Sequence, residues 1–241
     1  MAHRYFLDKI DGDTAFILGD EAKHLARVMR IKIGETLILS DKNGHDYIAQ
    51  TINVDEKQVV SRVISISDNV AEPSCRLTVY MALPKSDKLE FITQKMCELG
   101  ANRLVPFVSE YCVAQKSKKE DNKKQRLQKI SDEACKQSGR NRPMQVQDTL
   151  SYKQLMGEFK DYDLVLFFYE NSTDKMSALD FNECKNVAII IGSEGGFSSE
   201  EARLALENGA KIIGLGKRIL RCETAAITAA SLSMFCLGEL E

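Results

Sequence analysis

Two glycine-containing loops near the end of the chain hold the residues whose types and spacing could do chemistry. The first loop, Gly192 to Gly196, follows a short apolar run and precedes Ser198 and Glu201, which have the spacing of a helix capping box. The second loop begins at Gly216, where another short strand-like run ends. Glycine lets the chain turn sharply and lets a ligand approach the main chain closely. Two such loops at the carboxyl ends of adjacent parallel strands predict a crevice for a small ligand.

Charged side chains stand beside both loops. Glu194 lies in the first loop, Glu223 follows the second, and Arg218 and Arg221 lie between them in the sequence. One interpretation is a set of salt bridges on the protein surface. The other is a site for a ligand that carries apolar and positive groups, in which arginine contacts an anionic partner. The pattern by itself leaves both interpretations open.

Several other enzyme classes find little support in the motifs. The chain has no phosphate-binding Gly-Lys-Ser/Thr loop and no Gly-x-Gly-x-x-Gly after its first strand. It also lacks the Gly-x-Ser-x-Gly of many hydrolases. His3, His24 and His45 are far in sequence from both glycine loops, which argues against a histidine-based hydrolase.

Composition predicts a folded protein of a reducing compartment. Hydrophobic residues make up 44% of the chain and the formal net charge is −2, which identifies no partner. The seven cysteines are scattered singly, which predicts free thiols and no metal site. The N-terminal stretch has no signal-peptide core and no run reaches transmembrane length, so we expect a cytoplasmic protein. The basic stretch Lys116 to Lys129 fits either a solvated face or a nucleic-acid footprint.

Short β-like runs dominate the first part of the chain. They are predicted at residues 15–18, 36–39, 47–49 and 58–66, with a hairpin signal at residues 41–44. One short helix is predicted from Gly19 to Arg30, with Arg27 and Arg30 together on one face. The polar stretch from Asp68 to Pro73 marks a boundary. We therefore predict a small, strand-rich domain of barrel size over residues 1–72.

Strands and helices alternate in the rest of the chain. The predicted strands are residues 77–83, 104–108, 164–169, 187–191 and 211–215. The predicted helices are residues 87–99, 126–138, 151–159 and 198–208, followed by an alanine-rich final helix. Such alternation predicts an α/β domain with a parallel sheet over residues 73–241.

Five motifs in colinear order resemble one known family. They read HLARVMRIKIGE, KSDKLEFITQKMCELG, EACKQSGRNRP, IIGSEGGFSSEE and LGKRILRCETAA. Together they resemble the RsmE-type 16S ribosomal RNA uridine-N3 methyltransferases, which belong to the SPOUT class. The resemblance covers nearly the whole chain, and the last motif is highly specific.

The resemblance implies a fold and a reaction that the residues alone do not show. The larger domain would be an α/β SPOUT-type parallel sheet with a C-terminal trefoil knot, a feature too rare to predict on general grounds. The small domain would be a PUA-like RNA-binding β-barrel. The cofactor would be S-adenosyl-L-methionine, and the substrate a specific uridine in the decoding region of 16S rRNA in the small ribosomal subunit. The enzyme would act as a homodimer with its site at the interface.

The same resemblance assigns site residues by their positions in the motifs. Cofactor contacts would come from Gly192, Glu194, Gly195 and Gly196, from Leu215 and Gly216, and from Ile219, Leu220, Arg221, Thr224 and Ala225. RNA contacts would come from Arg4, His24, Arg27, Arg30, Lys85, Lys95, Glu133, Gln137, Ser138 and Arg140.

Two positions depart from the family pattern. Ser193 stands where a proline is expected, which should loosen the first loop without removing a contact. Tyr111 stands where the family usually has arginine, which affects an RNA or interface contact and not the reaction class.

Arg221 and Glu223 are the predicted catalytic residues. Methyl transfer from a sulfonium needs mainly in-line positioning, but N3 of uridine must lose a proton. We predict that Arg221 stabilises the uridine anion through O2 or O4, and that Glu223 or a water it holds accepts the proton. The alternative for Glu223 is a capping role at the start of the final helix. The target base would have to leave its stack to reach the site.

Two other functions remain compatible with parts of the pattern. A non-catalytic RNA-binding ribosome assembly factor would share the basic residues and the barrel. A SPOUT methyltransferase that acts on another ribosomal or transfer RNA nucleotide would share the entire site. Two intact glycine loops together with Arg221 and Glu223 favour an enzyme, since a protein that only binds RNA does not need them.

Overall fold

The computed structural model describes residues 4–85, 87–113 and 120–240. Contacts divide the chain into two compact units, one of residues 1–72 and 135–143 and the other of residues 73–134 and 144–241. No sequence pattern indicated that residues 135–143 pack with the first unit. As functional domains, residues 1–72 and 73–241 stay a prediction. Of the basic stretch, residues 116–119 lie outside the described residues.

A six-stranded sheet forms the first unit. Its strands are β1 (Arg4–Phe6), β2 (Lys9–Asp11), β3 (Thr14–Leu18), β4 (Thr36–Ser40), β5 (His45–Val54) and β6 (Gln58–Asp68). The order across the sheet is β1-β4-β5-β6-β3-β2; β1 and β4 are parallel, and the other neighbours are antiparallel. Ile17, Leu37, Leu39 and Val59 are buried in its core. The predicted strands are confirmed, because alternating apolar residues place one sheet face in the core.

The helix predicted from Gly19 to Arg30 is only partly right. Helix α1 spans Gly19–His24, and a π-helical turn, Leu25–Met29, continues it to Arg30, whose φ of 52° is left-handed. The wider turn changes which side chains face the core, so the apolar side chain of Met29 is exposed. Apolar spacing in the sequence does not distinguish an α-turn from a π-turn.

Buried polar side chains attach residues 139–143 to the first unit. The fully buried Asn141 donates from Nδ2 to the His45 carbonyl at 2.8 Å and accepts the Gly44 N–H at 2.7 Å. Arg140 is also buried, with Nη2 3.0 Å from Oε2 of Glu72. Because buried polar groups are costly without partners, this network fixes the segment.

A parallel sheet of seven strands forms the second unit and confirms the predicted α/β class. Its strands are β7 (Arg76–Ala82), β8 (Arg103–Val108), β9 (Gln145–Val146), β10 (Leu150–Ser151), β11 (Leu164–Phe168), β12 (Asn186–Ile191) and β13 (Lys211–Ile213). The order is β10-β8-β7-β12-β11-β13, with β9 also paired to β8. Tyr80, Phe107, Phe167 and Ile190 are buried in its core. Strands covered on both faces read as continuous apolar runs, which is why β7, β8, β11, β12 and β13 could be predicted. Strands β9 and β10 are two residues long each and were not predicted.

Within the described ranges the further helices are α2 (Lys88–Glu98), α3 (Glu120–Gln137), α4 (Tyr152–Gly157), α5 (Ser199–Glu207) and α6 (Cys222–Cys236). Helix α3 begins before the predicted Arg126, because its first turns are polar helix formers without an apolar stripe. Helix α4 ends early, at Gly157, and a 3₁₀ turn follows at Phe159–Asp161.

Strand β13 lies at the edge of the sheet, whereas α6 lies over its central strands. Strand β13 pairs with β11 at the sheet edge, whereas α6 packs against α2, β7 and β12. The connecting residues 214–221 therefore pass the carboxyl ends of β11 and β12. The trefoil knot implied by the family resemblance stays a prediction.

Candidate functional site

The first glycine loop is a tight turn directly after β12. The Gly196 N–H donates to the Ser193 carbonyl at 3.0 Å, and Gly196 has a left-handed φ of 65°. The capping box then starts α5: the Glu201 N–H donates to Ser198 Oγ at 3.2 Å, and the Ser198 N–H donates to Glu201 Oε2 at 3.0 Å. The turn and the helix start follow from local sequence, as predicted.

Neighbouring residues leave no room for a side chain at Gly195 or Gly196. A Cβ atom on Gly195 would lie 2.7 Å from Cβ of Tyr111 and 3.1 Å from its carbonyl oxygen. A Cβ atom on Gly196 would collide with the Glu170 carboxylate. Tyr111, one of the two departures from the family pattern, therefore packs directly against the main chain of the loop at Gly195. Glycine is required here by close approach as well as by backbone conformation.

A crevice opens between the first loop, the ends of β11 and β12, and the start of α6. Its cavity volume is about 170 Å³, and the crevice is open to solvent on one side. Every residue predicted to contact the cofactor lines it except Arg221 and Thr224, which are exposed. Its further lining residues are Phe168, Tyr169, Glu170, Ile191, Ser193, Phe197, Arg218 and Cys222.

The two loops do not follow adjacent strands as predicted, because β11 lies between β12 and β13, and the sequence analysis missed its contribution to the crevice. Phe168 ends this strand, and Tyr169 and Glu170 follow it. A signal was present, because the carboxyl ends of neighbouring parallel strands share one edge of a sheet. Among the described residues Glu170 has no ion pair, so its carboxylate is free to meet a ligand.

A lysine that the sequence analysis did not single out lies beside the crevice. Lys88 Nζ is 3.0 Å from Glu194 Oε1 and 3.1 Å from Glu223 Oε2. These two hydrogen bonds raise the pKa of Lys88 above its ordinary value. Lys88 is therefore a fixed positive charge that joins the start of α2 to the first loop and to α6.

Both partners of Lys88 are carboxylates that stay ionised. Burial alone would raise the pKa of Glu194, but hydrogen bonds from Lys88 and from main-chain N–H groups lower it below its ordinary value. Burial opposes the lowered pKa of Glu223 in the same way, and the hydrogen bonds of its own N–H, Lys88 and Cys222 outweigh it. Burial and the hydrogen bond to Glu223 raise the pKa of Cys222 to about 12. Cys222 is thus a neutral thiol, with Sγ 3.3 Å from Glu223 Oε2.

The first turn of α6 presents Arg221 and Glu223 differently. Arg221 is the N-cap residue, and its exposed side chain has no ion pair or hydrogen bond within the described ranges. Glu223 lies in the first turn of α6, where its negative charge interacts favourably with the helix dipole. This supports the alternative that Glu223 stabilises the start of the helix, although the N-cap residue itself is Arg221. Arg221 is thus an uncommitted guanidinium close to Glu194 and Glu223, the two carboxylates that Lys88 already pairs.

The predicted RNA contacts of the first unit have different surroundings. His24, Arg27 and Arg30 are exposed on α1 and the π-helical turn, and Arg27 Nη2 is 2.6 Å from Glu56 Oε2. Arg4 is largely buried, with Nη1 2.5 Å from Asp46 Oδ1. The exposed three remain candidates for RNA contacts, whereas Arg4 is committed to an internal ion pair.

The remaining predicted RNA contacts separate into surface and structural residues. Glu133 and Gln137 are exposed on α3, and Ser138 Oγ donates to the Cys135 carbonyl at 3.2 Å. Lys85 is exposed, and Lys95 pairs with Glu98 at 2.9 Å. Arg140 differs, because only 2% of it is exposed and its guanidinium faces Glu72. We correct its assignment from RNA contact to internal support, since RNA does not reach a buried guanidinium.

Replacing Arg140 by methionine is expected to lower the free energy of unfolding by about 3 kcal/mol, because it leaves the largely buried Glu72 carboxylate without its cation. Arg62→Met is the matched control, because Arg62 is exposed and its Nε lies 4.0 Å from Asp13. It should change that free energy by less than about 0.5 kcal/mol. Urea denaturation of both variants measures the difference. Equal stability of the two would show that the Arg140–Glu72 pair supports nothing.

The crevice has the chemical features needed for a nucleoside-containing ligand. Phe168, Ile191 and Leu215 offer apolar surface, and the glycines expose main-chain groups. Ser193 also lines it, and its buried Oγ has no hydrogen-bond partner among the described residues, so a polar ligand atom could supply one. This serine departs from the family pattern, yet the Ser193–Gly196 hydrogen bond keeps the turn closed.

In the described ranges no helix could cross a membrane, and no group of His, Cys, Asp or Glu could hold a metal.

Comparisons with protein families match both parts of the chain. A model described as the RNA methyltransferase domain matches residues 71–234. A second model, described as the RNA methyltransferase PUA domain, matches residues 17–64.

Individual relatives match over nearly their full length. A Bacillus subtilis protein named ribosomal RNA small subunit methyltransferase E is 32% identical, covering 95% of this chain and 94% of that protein. A Legionella pneumophila methyltransferase, whose solved structure contains bound S-adenosylmethionine, is 30% identical over 98% of each chain, with a TM-score of 0.89. A ribosomal RNA small subunit methyltransferase E from Neisseria gonorrhoeae has the same fold, with a TM-score of 0.89 at 24% identity over 98% of each chain.

Proposed function

The chain belongs to the RNA methyltransferase family that includes ribosomal RNA small subunit methyltransferase E, and we propose that it transfers a methyl group from S-adenosylmethionine to N3 of one uridine in 16S rRNA. The observation that carries this proposal is the crevice, which is built from both glycine loops and the start of α6. The cofactor bound in the Legionella relative supports the identity of the ligand. The choice of uridine N3 is supported by the resemblance of the motifs to the RsmE type.

The residues around the crevice fit this cofactor. Gly192, Gly195 and Gly196 would let its adenosine approach the main chain, with Leu215 and Leu220 against the adenine. Glu170, an unpaired carboxylate, would face a hydroxyl or a positive group of the cofactor. When bound, S-adenosylmethionine supplies an electrophilic methyl group on a cationic leaving group. The protein's task is then to hold the nucleophile in line with that methyl group.

Arg221 is proposed to prepare the nucleophile. N3 of uridine is protonated at neutral pH, and the anion that attacks the methyl group spreads its charge onto O2 and O4. The uncommitted guanidinium of Arg221 can donate hydrogen bonds to either oxygen, which stabilises the anion as it forms.

The proton acceptor is proposed to be Glu223 or a water molecule held by it. The lowered pKa of Glu223 makes the carboxylate a weak base towards N3. It is therefore better suited to orient a water molecule that carries the proton away once Arg221 has stabilised the anion. Cys222 is excluded as a base, since its raised pKa keeps it protonated.

RNA binding would use exposed cations and would depend strongly on salt. His24, Arg27 and Arg30 in the first unit and Lys85 in the second are supported by their exposure. Each phosphate contact releases counterions, so affinity should fall steeply as salt increases. The target uridine would have to leave its base stack to bring N3 to the crevice. These events take place where ribosomes are assembled, so we place the protein in the cytoplasm, which cofractionation with small subunits would test.

Methyl transfer to RNA tests the proposed function directly. Purified protein and S-adenosylmethionine labelled in its methyl group are mixed with small subunits that lack the modification. Label should enter 16S rRNA, and large subunits and transfer RNA should stay unlabelled. Label in those other RNAs would favour a related methyltransferase with a different target. RNA binding without any transfer would favour a non-catalytic assembly factor.

We also propose that the protein acts as a homodimer that meets through α2 and α6. Phe91 on α2 and Leu232 and Phe235 on α6 are large, apolar and exposed, and the two helices pack together. Replacing Phe235 by glutamate should shift the protein from dimer to monomer in sedimentation experiments. Leu206→Glu on α5 is the control, because Leu206 is equally apolar and exposed but lies on another helix. A Phe235→Glu variant that sediments like wild type would contradict this interface.

A further inference from the structure

We infer that Lys88 is a positioning residue for methyl transfer, which holds the first glycine loop and the first turn of α6 in the arrangement that binds the cofactor. This inference rests on the proposed function and adds to it a residue outside the crevice lining. Lys88 does not have to touch the cofactor or the RNA. It would act through Glu194, which lines the crevice, and through Glu223, which follows Arg221 and Cys222.

The geometry gives Lys88 two partners from separate segments. Its Nζ is 3.0 Å from Glu194 in the first loop and 3.1 Å from Glu223 in α6, and the three side chains are between 19% and 31% exposed. Glu194 is held further by the main-chain N–H of Lys85, at 3.2 Å from Oε1. The start of α2, the first loop and α6 are thus linked through one ammonium group, on the side of the crevice where Arg221 begins the helix.

Lys88 differs from a simple surface ion pair because its ammonium group lies between two carboxylates. Both carboxylates lie about 3 Å from the same nitrogen, so they lie within about 6 Å of each other, where like charges interact strongly. Cys222 also faces them, with Sγ 3.3 Å from Glu223 Oε2 and 3.9 Å from Lys88 Nζ, but it is a neutral thiol. Lys88 is therefore the cation that keeps Glu194 and Glu223 together. Without it, their repulsion would separate the loop from α6.

This repulsion would have a pH dependence that loss of packing alone does not produce. With Lys88 replaced by methionine, both carboxylates are charged at pH 8 and repel each other. As the pH falls, one of them takes up a proton more readily than an isolated carboxyl group would, because a neighbouring like charge raises its pKa. Cofactor binding by the variant should therefore recover, relative to wild type, as the pH falls.

Calorimetric titration with S-adenosylmethionine tests this inference. Lys88→Met should weaken binding about thirtyfold relative to wild type at pH 8 and only a few-fold at pH 5.5, as expected for like charges released from a shared partner. Lys88→Arg keeps the charge and should stay within about threefold of wild type. Arg203→Met is the matched control, since Arg203 also pairs with two carboxylates, Glu200 and Glu207, on the surface of α5. It should bind the cofactor like wild type at both pH values.

A second variant keeps the inference testable if Lys88→Met folds poorly. Lys88→Met combined with Glu223→Gln removes one of the two repelling charges, so cofactor binding at pH 8 should largely return. Unchanged binding by a folded Lys88→Met variant, or a loss that is equal at both pH values and is not rescued by Glu223→Gln, would overturn the inference. A wild-type protein that binds no cofactor with or without RNA would instead overturn the proposed function, and the inference with it.

Discussion

Replacing Gly195 by alanine is expected to weaken the binding of S-adenosylmethionine by about a hundredfold. The added Cβ atom would lie 2.7 Å from Cβ of Tyr111 and 3.1 Å from its carbonyl oxygen. Neither atom is the end of a flexible side chain, so the loop itself has to move. Forcing an extra carbon into a packed site costs about 1–3 kcal/mol. If that cost falls on the loop that holds the cofactor, it corresponds to as much as a hundredfold in a dissociation constant.

Gly157→Ala is the control for this experiment. Gly157 ends α4, and a Cβ atom on it would meet no other atom within 4 Å. This variant should bind the cofactor like wild type in the same calorimetric titration. Circular dichroism and the melting temperature establish that both variants are folded. Wild-type affinity in a folded Gly195→Ala variant would show that the cofactor binds elsewhere.

Replacing Arg221 by alanine is expected to slow methyl transfer by about 10²–10³-fold, the usual effect of removing one donor from a developing oxyanion. The dissociation constant for S-adenosylmethionine should change little, because Arg221 does not line the crevice although Leu220 and Cys222 do. A slower rate with an unchanged dissociation constant would distinguish a catalytic role of Arg221 from the cofactor contact that the family resemblance assigned to it. Single-turnover methylation of small subunits, with saturating cofactor, measures the rate.

The pH dependence of the Arg221 variant gives an independent check. If Arg221 stabilises the uridine anion, the alanine variant should regain part of its rate as the pH approaches that at which N3 ionises in water. Arg203→Ala on α5 removes another surface guanidinium and should leave both rate and pH profile as in wild type. An Arg221→Ala variant with the wild-type rate, or with a lost rate caused only by weaker cofactor binding, would contradict the proposed role.

Local sequence rules predicted the parts of the site that depend on neighbouring residues. Ser198 and Glu201 have the spacing of a capping box, and the structure has both of its hydrogen bonds. The apolar run before Gly192 ends as a buried strand at Ile191, where the turn begins. These features need only the chain within a few residues, so a single sequence determines them.

Features that depend on distant residues could not be predicted in this way. Lys88 gains its role from Glu194 and Glu223, which are far away in the sequence and meet it only through the sheet order. Arg140 lies in a basic, polar turn that looks exposed, and only the fold shows that it is buried against Glu72. A charged residue in an internal ion pair and a charged residue that contacts RNA look alike in the sequence, because neither follows a periodic pattern.

The most direct test of the central claim is to identify the methylated nucleoside. Small subunits that lack the modification are treated with the protein and S-adenosylmethionine, and their 16S rRNA is digested and analysed by mass spectrometry. The account predicts 3-methyluridine at a single position, in an amount approaching one per subunit, and none with Arg221→Ala over the same short time. A methyl group on a ribose or on another base, or no methylation by a protein that binds the cofactor, would contradict it.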